Sequence, residues 1–400
     1  MISLLRASFR KEICPYCFEP FRLRDTPFRC SSPAARCAPE RDEIRAQVWE
    51  DSAPMGRVLP AEGGFRREHR CPACGQRSRK RLCPHCHMEL PHTMGQFKNL
   101  IFSVIGAKDA GKSHYLAVLI EQIRKHAGPD LGMLLEPLND HTIRRYRESF
   151  YEPIFRHGTV IRGTISALSD RKVQIPLVYT LTFTGKDLFG RRAIKGLVTL
   201  VFFDTAGEDL NDQDTMSTVN KYIYRSDGII LLLDPLQLDR VRDHLGGSVP
   251  LPSRNTDAAD IVTRVTHLIL ERRGLPPDAR IPTPLAVAFS KFDAVEPLVD
   301  PQFQLRSDPD HRSGFDEADF HAVNAEMQSL LAEWDGRVLQ EQIESRFERF
   351  GFFGLTALGC NPHGDQKIPR VLPRRVEDPF LWLLHQHGLL PAARRPGGGR

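Results

Sequence analysis

The sequence predicts an α/β protein whose mostly parallel sheet is flanked by helices and preceded by a small cysteine-rich region. Two observations indicate this fold class. Beyond residue 97, apolar runs of strand length alternate with stretches of helical spacing, as in layered α/β sheets. Eight of the nine cysteines lie within the first 86 residues, where periodic apolar stretches are few. We therefore expect a cysteine-rich region over 1–94 and a larger domain over 97–390.

The elements of the larger domain follow from apolar runs bounded by polar turns. One helix is predicted over 112–126, directly after the first strand. An acidic stretch at 298–345, helical in places, is longer than a simple connection and is interpreted as an insertion. The tail 391–400 is expected to be disordered. The predicted strands are NLIFSVIG (99–106), VQIPLVYTLTF (173–183), GLVTLVFFD (196–204), GIILLLD (228–234), TPLAVAFS (283–290) and FGFFGLTAL (350–358).

Composition and charge place the chain among ordinary soluble proteins. Hydrophobic residues make up 41% and charged residues 26%, and the formal net charge is +5. The basic excess is local, because residues 1–98 carry 18 basic and 11 acidic side chains (+7), which leaves −2 for the remainder. No apolar run approaches the roughly 18 residues of a membrane span, and the first residues show no signal-peptide pattern. We expect a cytoplasmic protein with no membrane span.

The cysteine spacing predicts two structural zinc sites. CPAC (71–74) and CPHC (83–86) form CxxC knuckles eight residues apart, and CPYC (14–17) is followed by two more cysteines. In a reducing compartment such spacing favours metal over disulfides. With four thiolates per ion neither site has an open position, so the sites are expected to be structural. The ligands are Cys14, Cys17, Cys30, Cys37, Cys71, Cys74, Cys83 and Cys86.

The cysteines can be grouped into two four-ligand sites in two ways. The simpler one joins the knuckles that are adjacent in sequence, 71–74 with 83–86, and leaves 14–17 with Cys30 and Cys37. In the interleaved alternative the first and last knuckles share one ion. His85 and His87 stand beside a complete set of thiolates, and we expect them at the surface.

A basic run, RSRKR (77–81), lies between two of the knuckles. Zinc ribbons can contact nucleic acid through such residues, but a solvated basic face is at least as good an explanation. Nucleic acid is therefore left open as a partner.

The segment GAKDAGKS (106–113) matches the phosphate-binding pattern GxxxxGK[ST]. It follows a buried strand and opens a helix, so backbone N–H groups and the helix N-terminus can face phosphates. Lys112 is expected to reach the β and γ oxygens, and Ser113 offers a hydroxyl to Mg²⁺. The residues expected around the phosphates are Gly106, Lys108, Asp109, Ala110, Gly111, Lys112, Ser113 and His114.

Three later motifs also follow strand ends. FFDTAGED (202–209) contains DxxG, in which Asp204 can join the Mg²⁺ shell and the Gly207 amide can face a γ-phosphate. SKFD (290–293) resembles the guanine-reading NKxD element of the TRAFAC class of P-loop GTPases, and TAL (356–358) resembles the SAx element of that class. The order of the four motifs matches the class across 99–390.

This resemblance implies a Ras-like P-loop fold that binds GTP or GDP with Mg²⁺. By position, Lys291 would lie across the base, Asp293 would accept from guanine N1 and N2, and a backbone amide of Thr356, Ala357 or Leu358 would meet O6. Ser290 stands where the class has asparagine, so we expect a weaker brace on the phosphate loop.

Catalysis is expected to involve Lys112, Thr164 and Glu208. Glu208 replaces the glutamine that orients water in Ras-type GTPases, and its charge near an anionic γ-phosphate predicts slow intrinsic hydrolysis. For the threonine that contacts Mg²⁺ and γ-phosphate we prefer Thr164, in RGTIS; Thr159 is the other candidate.

Zinc ribbons ahead of a GTPase domain with DTAGED and LLLDP also resemble the double-GTPase families of bacterial conflict systems. This looser resemblance implies a nucleotide-controlled switch acting on a protein partner, including a second GTPase, in bacterial defence. Two alternatives stay open: a nucleotide-binding scaffold with little hydrolysis, and a zinc-ribbon protein that binds nucleic acid under control of its GTPase domain. An ATPase is less favoured, because no ATPase signature is evident.

Overall fold

The fold is that of a computed structural model of the 400-residue chain. The described residues are 11–61, 68–95, 98–107, 109–161, 175–186, 190–203, 221–245, 247, 251, 252, 254, 257–360, 362 and 367–393.

A seven-stranded sheet forms the centre of the molecule. Its strands are β7 (Lys98–Gly106), β8 (Met133–Pro137), β9 (Leu177–Lys186), β10 (Arg192–Phe203), β11 (Gly228–Leu233), β12 (Leu285–Phe289) and β13 (Phe350–Gly354). Their order across the sheet is β13-β12-β11-β7-β10-β9-β8. The strands from β13 to β10 pair in parallel, whereas β9 pairs antiparallel with both β10 and β8. The mostly parallel α/β sheet that the sequence predicts is confirmed.

The predicted strands match the observed ones except at their ends and at one omission. β9 begins after Pro176 rather than at residue 173, because proline has no N–H to donate to the ladder. β8 was not predicted, since MLLEP at its five positions is too short to show a clear period. It is an edge strand, with Met133 and Leu135 buried and Leu134 half exposed.

Helices cover both faces of the sheet and connect its strands. The helix predicted over 112–126 is α-helical to Gln122 and continues as a π-helical turn over Ile123–Ala127. A second π-helical segment, Tyr146–Arg156, contains Pro153. The α-helices are α1 (Glu43–Trp49), α2 (Lys112–Gln122), α3 (Gly128–Leu131), α4 (Asp140–Arg145), α5 (Lys221–Arg225), α6 (Asp239–Leu245), α7 (Ala258–Arg273), α8 (Phe292–Val295), α9 (Glu317–Glu333), α10 (Arg337–Arg346) and α11 (Asp378–Gln386).

The cysteine-rich region is built from short hairpins. Its paired strands are β1 (Lys11–Ile13) with β2 (Pro20–Arg22), β3 (Phe28–Arg29) with β4 (Val58–Leu59), and β5 (His69–Arg70) with β6 (Arg77–Ser78). Strands this short bury little apolar surface and need another source of stability.

Two apolar clusters hold the molecule together. One lies on the face of the sheet that α2 and α11 cover, and includes Leu116 and Phe380. The other contains Ile101 and Val201 from the sheet and extends into the cysteine-rich region, where it includes Cys14 and Trp49. The part of the cysteine-rich region around Cys14, Trp49 and Cys86 is thus packed onto the sheet. Within the described residues, no helix combines the length and apolarity needed to cross a bilayer.

Candidate functional site

The phosphate loop joins the end of β7 to the start of α2. At Gly106 a Cβ atom would lie 2.3 Å from the carbonyl oxygen of Leu232 on β11, so any side chain would force the two central strands apart. Gly111, which precedes α2, has a φ of +81°, in the left-handed region that glycine adopts without strain. The two glycines of the motif are therefore required by packing and by backbone conformation respectively.

The Lys112 side chain is buried inside this loop. Its Nζ donates to the carbonyl oxygens of Gly106 and Ala107, each at 2.9 Å. A positive charge is thus fixed at the N-terminus of α2, where backbone N–H groups also point outward. Both features favour an anion at this position.

Ser290 follows β12 and contacts the phosphate loop directly. Its hydroxyl lies 2.9 Å from the Ala110 carbonyl oxygen and 3.1 Å from that of Leu233, and its single proton can be donated to either. The contact that the asparagine-to-serine difference was expected to weaken is therefore present. A serine reaches the loop here because its own backbone N–H is held 2.8 Å from Leu233 O.

Lys291 forms an ion pair with a residue that the sequence reasoning did not single out. Its Nζ lies 2.6 Å from Oδ2 of Asp234, whose side chain is only 2% exposed. The other oxygen of Asp234 accepts the Leu236 N–H at 3.0 Å, which caps the short helix after β11. The only sequence signal for this role was an acidic residue directly after an apolar strand.

Asp293 lies beside the TAL segment that follows β13. The Thr356 hydroxyl donates to Asp293 Oδ1, and the Phe292 N–H donates to Leu355 O at 3.1 Å. The structure thus places three of the sequence motifs, the phosphate loop, SKFD and TAL, next to one another at the carboxyl edge of the parallel strands. This is the edge at which open α/β sheets bind ligands.

His114, in the first turn of α2, contacts the backbone of Ile161. Its Nε2 accepts the Ile161 N–H at 3.0 Å. Burial, and secondarily the positive charge of Lys291, lower the pKa of His114 to about 4, so the ring is a neutral acceptor at physiological pH. The alternative Mg²⁺ ligand Thr159 donates its hydroxyl to Pro153 O at 3.2 Å, which directs that hydroxyl into the preceding helix.

Several predicted site residues lie outside the described part of the chain. These are Lys108, Thr164, Asp204, Gly207 and Glu208. Their roles stay predictions.

The eight clustered cysteines form two groups of four, with the interleaved pairing. Cys14, Cys17, Cys83 and Cys86 form the outer cluster; Cys30, Cys37, Cys71 and Cys74 form the inner cluster. The pairing of neighbouring knuckles favoured from spacing is wrong, because the turns at 14–17 and 83–86 face each other across the fold.

The sulfur positions fit tetrahedral zinc. Four thiolates at about 2.3 Å from one ion lie roughly 3.8 Å apart. Sγ–Sγ distances are 3.8 Å for Cys14–Cys86 and Cys17–Cys83, 3.6 Å for Cys30–Cys74 and 4.0 Å for Cys37–Cys71. Backbone N–H groups of Tyr16 and His85 lie 3.4 Å from the sulfurs of Cys14 and Cys83, as in metal-binding knuckles.

The two histidines beside the outer cluster have other partners. His85 is exposed, and its Nε2 lies 3.1 Å from Pro20 O. His87, expected at the surface, is instead buried, with Nδ1 2.8 Å from Asp42 Oδ1. A buried imidazole needs a polar partner, and Asp42 supplies it while also binding Arg29 at 2.6 Å.

The basic run 77–81 is largely engaged within the molecule. Arg77 and Arg79 pair with Glu68 at 2.8 and 3.4 Å, and Lys80 pairs with Glu89 at 3.2 Å. Arg81 donates to Thr26 and lies over the Phe28 ring. These exposed pairs are weak and exchange readily, so binding of nucleic acid by this run stays a prediction.

Together, the central sheet, the glycine-bounded loop and Lys112 define an α/β P-loop fold with two four-cysteine clusters that fit zinc ribbons. No family model matches the chain. A curated protein of Mycolicibacterium smegmatis, described as "Putative ESX-1 scaffolding and assembly protein SaeC", is 26% identical over 333 residues, covering 77% of this chain and 80% of that protein.

Three solved GTPase structures are similar to the chain at low sequence identity and low TM-score. The Arl6 small GTPase of Trypanosoma brucei is 16% identical with a TM-score of 0.30, over 73% of this chain and 98% of that one. The Ski7 GTPase-like domain of S. cerevisiae is 14% identical with a TM-score of 0.32, over 72% of this chain and 50% of that one, so the match spans half of its length. The signal recognition particle receptor structure from Chaetomium thermophilum is 16% identical with a TM-score of 0.27, over 67% and 95%.

Proposed function

We propose that the chain is a GTP-binding switch protein that slowly hydrolyses GTP to GDP and phosphate and uses its nucleotide state to control a protein partner. The observation that carries this proposal is the anchoring of SKFD at three points. Ser290 contacts the phosphate loop, Lys291 pairs with Asp234, and Asp293 accepts from Thr356. Residues that would read a base are thereby held beside the loop that would bind its phosphates.

In this proposal Lys112 and the N–H groups of the phosphate loop bind the phosphates, and Ser113 with Asp204 would hold Mg²⁺. The ion would neutralise phosphate charge. Asp293 would accept two charge-assisted hydrogen bonds from guanine, and adenine offers no donor at the matching positions. At about 1.5–3 kcal/mol each, these bonds predict a preference for GTP over ATP of roughly 10² to 10⁴.

Competition titrations with GTP, ATP and XTP test the base assignment. Asp293→Asn should weaken GTP binding and improve XTP binding, since an amide can donate to the xanthine 2-oxo group. Asp278→Asn is the matched control, because Asp278 is exposed on the loop before β12, at the opposite end of that strand. Equal affinity of the wild type for GTP and ATP would mean that SKFD does not recognise guanine, and it would favour an ATPase.

Hydrolysis is tested by single-turnover phosphate release, with and without cell extract. Lys112→Ala should abolish nucleotide binding, because the loop loses its cation. Glu208→Ala should leave binding intact and change the rate of release alone. If both variants bind and hydrolyse as the wild type does, the site lies elsewhere.

A nucleotide-binding scaffold with little hydrolysis is the second candidate. The description of the 26% identical M. smegmatis protein as a scaffolding and assembly protein favours it. Phosphate release that stays at background, with tight GTP binding, would support this reading. Proteins that co-purify with a GTP-analogue state but not with GDP would identify the partner, for which the resemblance suggests a second GTPase in bacterial defence.

We propose that each of the two cysteine clusters holds one structural Zn²⁺. Elemental analysis should find close to two zinc ions per chain. Fewer than one, with eight reactive thiols, would contradict the proposal.

A further inference from the structure

Asp234 is a buried carboxylate next to the proposed nucleotide site. It stands directly after β11, the strand that pairs in parallel with β7 and whose Leu232 is opposite Gly106 at the start of the phosphate loop. Its side chain is 2% exposed, and desolvating a carboxylate costs several kcal/mol unless it is paired. The pairing cation is Lys291, at 2.6 Å.

Lys291 is constrained on several sides. Its backbone lies in the left-handed region, with φ at +53°, and its neighbour Ser290 is bonded to the phosphate loop. The ring of His114 is close enough to Lys291 for the lysine charge to influence it. A lysine side chain is a flexible four-carbon stem that ends in Nζ. Among the contacts described for Lys291, the hydrogen bond from Nζ to Asp234 is the one that fixes the end of this stem.

We propose that Asp234 is a positioning residue for base binding, which orders the Lys291 stem across the base site without touching the nucleotide. This inference rests on the proposed function, because it assumes that Lys291 lies against a bound base. The physical basis is preorganisation: a lysine held in its bound conformation loses less rotamer freedom when the base arrives. The loss of this ordering should weaken GTP binding by roughly 10- to 30-fold.

Asp234→Asn is the variant of choice, because it removes the charge but keeps the side-chain volume and an oxygen that can accept the Leu236 N–H. The equilibrium Kd for GTP is measured for the wild type, Asp234→Asn, Lys291→Met and the double variant. If Asp234 acts through Lys291, the asparagine substitution weakens binding in the wild type and has no further effect in the Lys291→Met background. Equal losses in both backgrounds, or none in either, would overturn the inference.

Two further variants distinguish a specific effect on GTP binding from a general loss of stability. Asp319→Asn, which breaks another buried pair by removing charge next to Arg375, should lower stability without changing the Kd. If Asp234→Asn does not fold, Asp234→Ser keeps a cap acceptor for Leu236 and should show the same dependence on Lys291. A wild type that binds GTP while Asp234 has no effect overturns this inference alone; a wild type that binds no nucleotide overturns the proposed function and the inference with it.

Discussion

The two cysteine clusters share one chemistry but have different surroundings. In the outer cluster, Cys14, Cys83 and Cys86 are fully buried, in an apolar cluster that continues into the central sheet. The inner cluster packs mainly with Phe28 and Leu59 in a small separate group. One cysteine of each cluster, Cys17 and Cys74, is partly exposed. One cysteine cluster is thus part of the main core, and the other belongs to a small local group of its own.

The contacts of the outer cluster explain the difference. Trp49 donates its indole N–H to Cys86 O at 3.1 Å, and Asn139 donates to the Tyr16 hydroxyl at 2.7 Å. Glu19 pairs with Lys221 on α5 at 2.5 Å. Polar contacts with the start of α4 and with α5, together with the shared apolar cluster, therefore tie the outer cluster to the larger domain.

The largest effect is expected from Cys83→Ser. A structural zinc site contributes roughly 10–16 kcal/mol, as much as the whole stability of a typical domain. Because this site lies in the core shared with the sheet, we expect the loss of one zinc, of cooperative unfolding and of nucleotide binding. Thermal unfolding and zinc analysis check this; a midpoint that stays near that of the wild type would contradict the shared core.

Cys71→Ser should have a local effect. It removes one ligand of the inner cluster, so the second zinc should be lost and residues near 30–37 and 71–78 should exchange amide hydrogens faster. Nucleotide affinity and the main unfolding transition should stay as in the wild type, because the inner cluster is separate from the sheet core. Loss of nucleotide binding would show that the two clusters are equivalent.

Arg29 connects the two clusters, and its removal should cost an intermediate amount. It is buried between Asp42 at 2.6 Å and the carbonyl oxygens of Gly56 and His87. Arg29→Met leaves Asp42 buried with reduced compensation, and breaking such a pair costs about 3–5 kcal/mol. The exposed Arg41→Met is the control, expected within about 0.5 kcal/mol of the wild type in urea unfolding.

The smallest effect concerns pH and has opposite signs in the two regions. Burial, and secondarily the charge of Asp378, raise the pKa of Glu377 in the sheet region to about 7; His311 and Asp308 also face it. The folded state then binds a proton more tightly than the unfolded one, so this group's contribution to stability falls as pH rises from about 4.5 to 7. Glu377→Gln should be more stable than the wild type at pH 8, by on the order of 3 kcal/mol, and similar at pH 4.

Asp42 in the cysteine region behaves in the opposite way. Burial alone would raise its pKa, but hydrogen bonds from Arg29, the Arg45 N–H and His87 outweigh burial and lower it. Its contribution is present above the unfolded pKa and is lost as pH falls through the lowered one. Stability curves of wild type and Glu377→Gln between pH 4 and 8 report on Glu377 alone, because the loss at Asp42 lies at lower pH; identical curves would contradict the assignment to Glu377.

The sheet and the phosphate loop could be predicted because their signals are local. A run such as GIILLL has the length of a buried strand and polar residues on both sides, and the glycines at 106 and 111 mark one loop shape. The five residues of β8 carried no comparable period, and the edge position of that strand depends on its pairing with β9.

The features that were predicted wrongly or missed depend on contacts between residues far apart in the sequence. The spacing of the cysteines identifies each CxxC knuckle but not the knuckle with which it shares an ion, because both pairings supply four thiolates per ion. The burial of His87 and the pairing of Asp234 with Lys291 likewise depend on partners 45 and 57 residues away. The contact of Ser290 with the phosphate loop also depends on a distant partner, Ala110, and its strength relative to an asparagine contact stays a prediction.

The nested arrangement of the clusters sets an order of assembly during synthesis of the chain. The inner cluster has all its ligands once residue 74 has left the ribosome, whereas the outer cluster waits for residue 86. Closing the inner cluster first shortens the segment that the outer one must then close, which lowers its entropic cost. Both sets of cysteines are complete before β7, the first strand of the sheet, begins at Lys98, so the cysteine-rich region can close before the sheet forms.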